Sequence, residues 1–207
     1  MRPLLHLAAA LCALLFISPA SANAIERLKA FNSGIRSLTA EFTQQMLDER
    51  MREVQANTGD VALERPGRFR WVYRTPYPQL LVSDGKTLWM YDPELKQATR
   101  RGIGGALSGS PAELLAGSAD LERSYRLSNI GRQDGLEWLE AVPKRDDSGF
   151  VRIRIGMSKD NLPLAMELTD SFGQTTLLRF TDVRRNPRIK SEAFVFAPPA
   201  GVDVLDQ

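Results

Sequence analysis

Histidine and cysteine are the side chains that most often carry catalysis or bind transition metals, and this chain has one of each. His6 and Cys12 both lie in an apolar stretch at the start of the chain. A His beside a Ser or Cys supports nucleophilic catalysis, and both residue types are common ligands of zinc and haem iron. Whether either can act in the working protein depends on what this first stretch is.

The first 24 residues have the pattern of a secretory signal peptide. Arg2 gives a positive start, residues 4–17 are almost wholly apolar, and Ser18-Pro19 ends the run. Two small-residue cleavage patterns follow, which place the cut after Ala22 or after Ala24. The apolar run is shorter than the about 20 residues that a membrane span needs, and this disfavours the alternative of an uncleaved anchor.

Removal of this leader gives a single mature domain, residues 25–207, which we expect to be exported. The mature chain has neither imidazole nor thiol, because His6 and Cys12 leave with the leader. This excludes Ser-His-Asp and Cys-His catalysis, metal sites built on these ligands, and disulfides, so we expect no metal and no cofactor. The formal net charge of the full chain, +2, is too balanced for a nucleic-acid binder.

Carboxylates are the remaining groups that can do acid–base chemistry, as the paired Asp and Glu residues of glycosidases do. Asp146 and Asp147 are adjacent in a predicted turn, so their side chains diverge into solvent. Asp84 belongs to an Asp-Gly turn, where aspartate is favoured for backbone reasons. The pattern sets no two carboxylates opposite each other, and nothing marks a Ser-Lys pair, although such a pair stays open. The sequence therefore predicts a protein that is not an enzyme.

Two or three short helices are predicted in a chain otherwise made of strands, and two of them can be placed. The first covers residues 25–36; the second covers 111–117, with Ser110 as its N-cap and Pro111 at its first position. The glycine-rich stretch 102–110 before the second helix favours either a mobile flap or a plain surface loop. The apolar positions at helical spacing are Ile25, Leu28, Phe31 and Ile35 in the first helix, and Leu114 and Leu115 in the second.

Alternation of apolar and polar residues predicts about ten or eleven strands. The clearest covers 68–74, where Phe69, Trp71 and Tyr73 share one face and arginines share the other. Gly59, in the strand before it, is a predicted bend or bulge. Short turns between the strands favour one large antiparallel sheet. The predicted strands are 37–46, 54–64, 68–74, 80–82, 87–91, 125–130, 136–143, 150–157, 164–169, 175–183 and 194–196.

A sheet of this size has one broad apolar face, and two short helices are too little to cover it permanently. Two architectures fit this pattern. One is a closed barrel with an ordinary core. The other is an open barrel whose concave face is covered by movable helices and can accept an apolar ligand. Periodicity alone leaves both open.

Four strings resemble the LolA family of periplasmic lipoprotein carriers, and they occur in order along nearly the whole mature chain. Residues 42–44, Phe-Thr-Gln, match the first-strand FxQ. Residues 63–71, LERPGRFRW, resemble the RPxxFxW signature. Residues 82–93, VSDGKTLWMYDP, resemble the hairpin VSDGKTLWxYxP. Residues 194–202, FVFAPPAGV, are similar to the C-terminal FxFxPPxGV.

The resemblance implies a mainly β fold with a few helices, an incomplete antiparallel β-barrel of about 11 strands with a helical lid over a hydrophobic cavity. It implies that Arg65 hydrogen-bonds to the lid helices and favours the closed, empty form. It also implies that Phe69 lies near the cavity mouth and affects handling by the inner-membrane transporter. The residues expected to form the acyl-chain cavity and lid are Leu28, Phe31, Ile35, Phe42, Trp71, Trp89, Leu114 and Leu115.

The function implied is that of a periplasmic chaperone that acts as a monomer. It takes lipoproteins by their acyl chains from the inner-membrane ABC transporter LolCDE and passes them to the outer-membrane receptor LolB. The alternative is a periplasmic lipid-binding or lipoprotein-sensing module of the same fold. On the lid helix, Ala112 replaces a larger residue and Glu113 stands where an apolar one is usual, so lid packing is expected to depart from the family pattern.

Overall fold

The structure is a computed structural model that describes residues 23–103, 111–116, 121–145 and 149–206, with the backbone alone for 111–113. The helices are α1 (Ala24–Gly34), α2 (Pro111–Ala116), α3 (Leu121–Ser124) and a 3₁₀ helix (Ser191–Phe194). The strands are β1 (Ser37–Leu47), β2 (Glu53–Glu64), β3 (Arg68–Thr75), β4 (Gln79–Asp84), β5 (Thr87–Asp92), β6 (Gln97–Gly102), β7 (Tyr125–Gln133), β8 (Leu136–Pro143), β9 (Phe150–Met157), β10 (Pro163–Asp170), β11 (Thr175–Arg185) and β12 (Asp203–Asp206).

Some predicted features lie outside the described residues. They are the leader up to Ala22 with His6 and Cys12, the glycine-rich stretch from Gly104, Ser110, Asp146, Asp147, and the side chains of Ala112 and Glu113. Among the residues that are described, no helix has the length and apolarity that crossing a membrane requires.

All twelve strands belong to one sheet, in the order β12-β6-β5-β4-β3-β2-β1-β11-β10-β9-β8-β7. Neighbouring strands are antiparallel except β12, which pairs in parallel with β6. β12 and β7 stand at opposite ends of this order, so the described sheet is an open barrel. The prediction of an incomplete antiparallel barrel is confirmed, and the alternative of a closed barrel is wrong.

Residue alternation along the strands gives the sheet one dry face and one charged face. In β1, Leu38, Ala40 and Phe42 are buried, whereas Glu41 and Thr43 are not. The opposite face carries ion pairs such as Arg154 Nε to Glu140 Oε2 at 3.1 Å. Ion pairs that are partly open to solvent, as this one is, contribute little to stability, so burial of the dry face holds the fold together.

The predicted strand over 194–196 is wrong. Ser191–Phe194 forms a 3₁₀ helix on the outer face of β3 and β4, and the C-terminal strand is β12 instead. The Phe-Val-Phe alternation imitates a strand because Phe194 is buried while Val195 is 64 % exposed. Phe194 lies under the Arg68 guanidinium, and Phe196 contacts Trp89 edge to face, so the two aromatic rings hold an irregular segment against the sheet.

The dry face is covered from two sides. α1 packs on β7, β8 and β9, and α2 lies against β2. α1 begins with a capping box, in which the Asn23 side chain accepts from the Glu26 backbone N–H and the Glu26 carboxylate accepts from that of Asn23. This cap fixes where the helix starts, and therefore which of its side chains face the sheet.

Candidate ligand-binding interior and its lid

Six of the residues predicted for the cavity and lid lie together in one buried cluster between the sheet and the two covering helices. α1 and α2 contribute four of them, the C-cap residue of α1 is the fifth and β1 supplies the sixth, and each is at most 7 % exposed. Trp71 of β3 is half-buried and packs against the cluster. In this closed form the apolar side chains fill the interior by packing on one another. The six are Leu28, Phe31, Ile35, Phe42, Leu114 and Leu115.

Aromatic rings form the sheet side of this interior. The ring centroid of Phe42 is 4.8 Å from that of Trp71 and 5.3 Å from that of Tyr73. Phe42 stands opposite Gly59 of β2, where a Cβ atom would come within 2.7 Å of its ring. The pairing of β2 with β3 shifts register between Thr58 and Gly59, so the predicted bulge is confirmed. The absence of a Cβ atom at Gly59 leaves room for the Phe42 ring.

The interior also contains a buried polar pair. The Tyr73 hydroxyl donates to Gln44 Oε1 at 3.1 Å, and Gln44 is 8 % exposed. Burial raises the pKa of Tyr73, because the phenolate would lose its hydration. The hydroxyl therefore stays protonated and keeps the Gln44 oxygen satisfied inside the apolar face.

The placement of Trp89 in the cavity is wrong. Its indole lies on the outer face, 5.5 Å from the Phe196 ring centroid, with the Arg100 guanidinium over it at 5.7 Å. The neighbouring Leu88 points into the interior instead and is 4 % exposed. Successive side chains in a strand alternate between faces, so Leu88 and Trp89 cannot both be inside.

Phe69 is 5 % exposed and belongs to the buried cluster, at the start of β3. It is paired with Leu63 on one side and Ser83 on the other. In this form it is therefore part of the packed interior rather than the rim of an open mouth. A charge at this position would be buried among apolar side chains, at a cost in stability.

Arg65 joins the sheet to the C-terminal end of α1. It follows β2, and its Nε donates to the Ile35 carbonyl at 3.0 Å while its Nη2 donates to Asn32 Oδ1 at 2.6 Å. The guanidinium lies over the Phe31 ring, with Cζ 4.9 Å from the centroid. Burial lowers the pKa of Arg65 to about 10, so the side chain is still charged at neutral pH.

The turn that carries Arg65 also touches the second covering helix. The backbone N–H of Gly67 donates to the carbonyl of Ala116, the last residue of α2, at 3.2 Å. Gly67 has φ +69°, a conformation that glycine adopts without strain. The three-residue turn from Arg65 to Gly67 thus contacts α1 through a side chain and α2 through the backbone.

Surface groups fix the N-terminal half of α1. The Ile25 backbone N–H donates to Asn129 Oδ1 of β7 at 3.1 Å. Arg27 Nη1 reaches the β9–β10 turn, where it donates to the Lys159 carbonyl at 2.8 Å and to Asn161 Oδ1 at 3.3 Å. These contacts set the position of α1 along the sheet.

Sequence reasoning assigned no role to Asn32, which is 7 % exposed. Its position offered a signal, because it follows Leu28 by one helical turn and so falls on the apolar stripe of α1. A polar residue on a buried stripe requires a partner inside the protein. For Asn32 that partner is Arg65, 33 residues away along the chain.

Comparison with known proteins shows which family has this architecture. A sequence model of the family described as outer membrane lipoprotein carrier protein LolA matches residues 33–197. The outer-membrane lipoprotein carrier protein of Chromobacterium violaceum is 48 % identical over 206 residues, 99 % of this chain and 98 % of the relative. That of Dechloromonas aromatica is 45 % identical over 91 % of this chain and 90 % of its own length.

Two solved structures share the fold. A LolA superfamily protein from Nitrosomonas europaea matches with a TM-score of 0.51 at 12 % identity, over 84 % of this chain and 96 % of that one. An uncharacterized conserved protein from Thermus thermophilus matches with a TM-score of 0.57 at 13 % identity, over 89 % of this chain and 97 % of that one. Identities this low bear on the fold alone.

An open antiparallel sheet with helices laid over its apolar face is an incomplete β-barrel with a lid, a class of protein that sequesters an apolar interior from water. Within this class, the sequence match is specific. The chain belongs to the LolA family of outer membrane lipoprotein carrier proteins.

Proposed function

We propose that this protein is a periplasmic chaperone that binds the acyl chains of lipoproteins released from the inner membrane and delivers them to an outer-membrane receptor. The observation that carries the proposal is the arrangement over the dry face. The apolar interior is covered by short helices, and a half-buried, charged Arg65 ties α1 to the sheet. A permanent core gains nothing from a charge between its layers, whereas a cover that must open can use one as a latch.

The free energy of burying acyl chains favours transfer of lipoproteins inside a protein. Burial of an acyl chain is worth about 0.8 kcal/mol per CH₂, so a 16-carbon chain represents roughly 12 kcal/mol. A lipoprotein with several such chains leaves a membrane only if another apolar environment receives them. The apolar side chains that fill the closed interior supply that environment once α1 and α2 move away from the sheet.

Closure of the lid favours release of the cargo. When α1 lifts from the sheet, Arg65 loses its contacts with Asn32 and the Ile35 carbonyl. Hydrogen bonds to a charged group are worth about 1.5–3 kcal/mol each, so the open, loaded form lacks stabilisation that the closed, empty form has. This difference lowers the affinity for cargo and helps the carrier to give it up.

The partners that fit this role are the inner-membrane ABC transporter LolCDE as donor and the outer-membrane LolB as acceptor. Phe69, in the turn-proximal part of β3, would meet the donor once the lid has opened. Neither partnership requires a cofactor, and the carrier would act as a monomer in one-to-one complexes with cargo.

Export would leave a mature chain that begins at Asn23. A cut after Ala22 retains the capping box and keeps Ala24, which is 1 % exposed, in the interior. A cut after Ala24 would remove both and put a terminal ammonium on Ile25. We expect the intact mass of the periplasmic protein to correspond to residues 23–207; a mass for residues 25–207 would show that the cap is dispensable.

The test is release of lipoproteins from the inner membrane. Spheroplasts that secrete lipoproteins are incubated with the purified mature protein, and we expect a soluble one-to-one complex with cargo. The matched surface control, Arg179→Leu on β11, should release as much as wild type because Arg179 is exposed. Failure of the wild type to release lipoprotein, with uptake of free fatty acid, would overturn the proposal in favour of a general lipid-binding module.

A further inference from the structure

Asn32 has a donor that nothing in the described part of the protein accepts. Its Oδ1 takes a hydrogen bond from Arg65 Nη2 at 2.6 Å. Its Nδ2 is fully buried and has no hydrogen-bond partner among the described residues. Buried polar groups in folded proteins are nearly always paired, so an unpaired amide N–H beside a paired oxygen calls for an explanation.

Packing alone does not explain an asparagine here. Asn32 sits between Phe31 and Ile35 on the buried stripe of α1, and both neighbours belong to the apolar cluster. A leucine at this position would extend the stripe without a buried polar group. Arg65 already has an acceptor at the end of α1, the carbonyl of the C-cap residue Ile35. The asparagine therefore adds one acceptor that the closed form uses and one donor that it leaves free.

We propose that Asn32 Nδ2 binds the carbonyl oxygen at the head of an acyl chain, the ester or amide carbonyl through which the chain is attached to cargo. This inference rests on the proposed carrier function and specifies how the interior recognises its ligand. An acyl carbonyl that enters an apolar interior loses its hydrogen bonds to water, which disfavours entry unless a donor replaces them. A carbonyl oxygen has no hydrogen to offer, so it complements the free N–H of Asn32.

One asparagine would then serve both states of the lid. In the closed form its oxygen receives Arg65. In the loaded form its nitrogen donates to the ligand carbonyl. The position of Asn32 then sets how deep in the interior the hydrocarbon part of the acyl chain begins. Hydrocarbon would extend from Asn32 toward the apolar cluster, while the polar part of the cargo stays near the turn from Arg65 to Gly67.

The experiment compares three synthetic probes on the purified mature protein. The first is a triacylated lipopeptide with two ester-linked chains and one amide-linked chain. In the second, ether links replace the esters; in the third, an uncharged trans-alkene replaces the amide link, so that a carbonyl is lost without a new charge. We expect wild type to bind either the second or the third probe about 3- to 10-fold more weakly than the first, the range for one neutral hydrogen bond. The probe for which the affinity falls identifies the carbonyl as an ester or an amide carbonyl.

Two variants separate this contact from the latch. Asn32→Asp keeps an oxygen for Arg65 and removes the amide protons, whereas Asn32→Leu removes both. In each variant the preference for the carbonyl-bearing probe should disappear. The same Asn-to-Asp change at Asn186, whose Oδ1 accepts from the backbone N–H of Arg36, should leave the preference intact. Thermal unfolding of each variant checks that it is folded.

The outcomes distinguish the two proposals. If wild type binds all three probes equally, or if Asn32→Asp retains the wild-type preference, the Asn32 inference is overturned while the carrier function stands. If wild type binds none of the probes, the carrier function itself fails. Because the readout is a ratio between probes on the same variant, a general change in lid opening cancels out.

Discussion

The two ends of α1 are held by the same type of side chain, a half-buried arginine, but the acceptors at the two ends differ in burial. Near the N-terminal end, Arg27 donates to the Lys159 carbonyl and Asn161 at an exposed turn. At the C-terminal end, Arg65 donates to Asn32 and the Ile35 carbonyl in the interior. Lys159 is exposed, whereas Asn32 and Ile35 are each 7 % exposed, so the acceptors that lose Arg65 are the ones left unpaired in the interior. The N-terminal end therefore anchors α1, and the C-terminal end is where a ligand can compete with the protein.

The largest effect is expected from Arg65→Leu. Loss of the guanidinium leaves the Asn32 oxygen and the Ile35 carbonyl without their donor, which destabilises the closed form by about 1–3 kcal/mol. The lid should shift toward open, seen as stronger binding of an apolar fluorescent probe, and transfer of bound lipoprotein to the outer-membrane receptor should slow about tenfold or more. Wild-type probe binding and transfer in this variant would refute the latch.

Arg27→Met should have an intermediate effect, and this effect should be on the stability of the protein rather than on cargo transfer. The contacts of Arg27 with the β9–β10 turn are lost, and the free energy of unfolding should fall by about 1 kcal/mol. Transfer of cargo should stay within about twofold of wild type, because the C-terminal end of α1 keeps Arg65. Urea unfolding and the transfer assay measure the two quantities on one preparation. A tenfold loss of transfer would mean that both ends of α1 act as latches.

The comparison also shows what local sequence could predict. The periodicity of α1 and the alternation of β3 located both elements, because a repeat of 3.6 or 2 residues is visible within a few positions. The family strings pointed to Arg65 as a latch. Its partner Asn32 was not predicted, since the contact joins residues far apart in sequence and is set by how α1 lies on the sheet.

Two failures have a shared cause. Leu88 and Trp89 are both large and apolar, and alternation does not say which face of β5 is the interior. The structure decides it through the C-terminal segment, which covers the outer face of the sheet and packs Phe196 on Trp89 and Tyr91. The same packing makes 194–196 look like a strand. β6 was also missed, because the polar sequence QATRRG shows little alternation. Alternation along a strand is interpreted on the assumption that one face is apolar and buried. It therefore does not reveal that apolar side chains also pack on the outer face of the barrel.

Asn23→Ala tests the first turn of the anchored end. The cap loses the side-chain acceptor for the Glu26 N–H, and the free energy of unfolding of the mature protein should fall by about 1 kcal/mol. Hydrogen exchange should speed up in the first turn of α1 while the amides near Ile35 change little. Faster exchange along the whole of α1 would indicate that the helix is released as one body and that its two ends are not independent.

Lys29→Met is expected to have the smallest effect and marks the lower limit of what surface contacts on α1 contribute. Lys29 Nζ lies 2.6 Å from Glu122 Oε1 of α3, with both side chains more than half exposed. The hydrogen bond from Lys29 lowers the pKa of Glu122, so the stabilisation is present at neutral pH and is lost as the pH falls through that lowered pKa. The melting temperature of Lys29→Met should therefore differ from that of wild type by about 1 °C or less at pH 7, and the difference should vanish in acid. A larger difference at pH 7, together with faster cargo transfer, would mean that the α1–α3 contact restrains the lid. The middle of α1 would then also help to hold the helix on the sheet, in addition to its two ends.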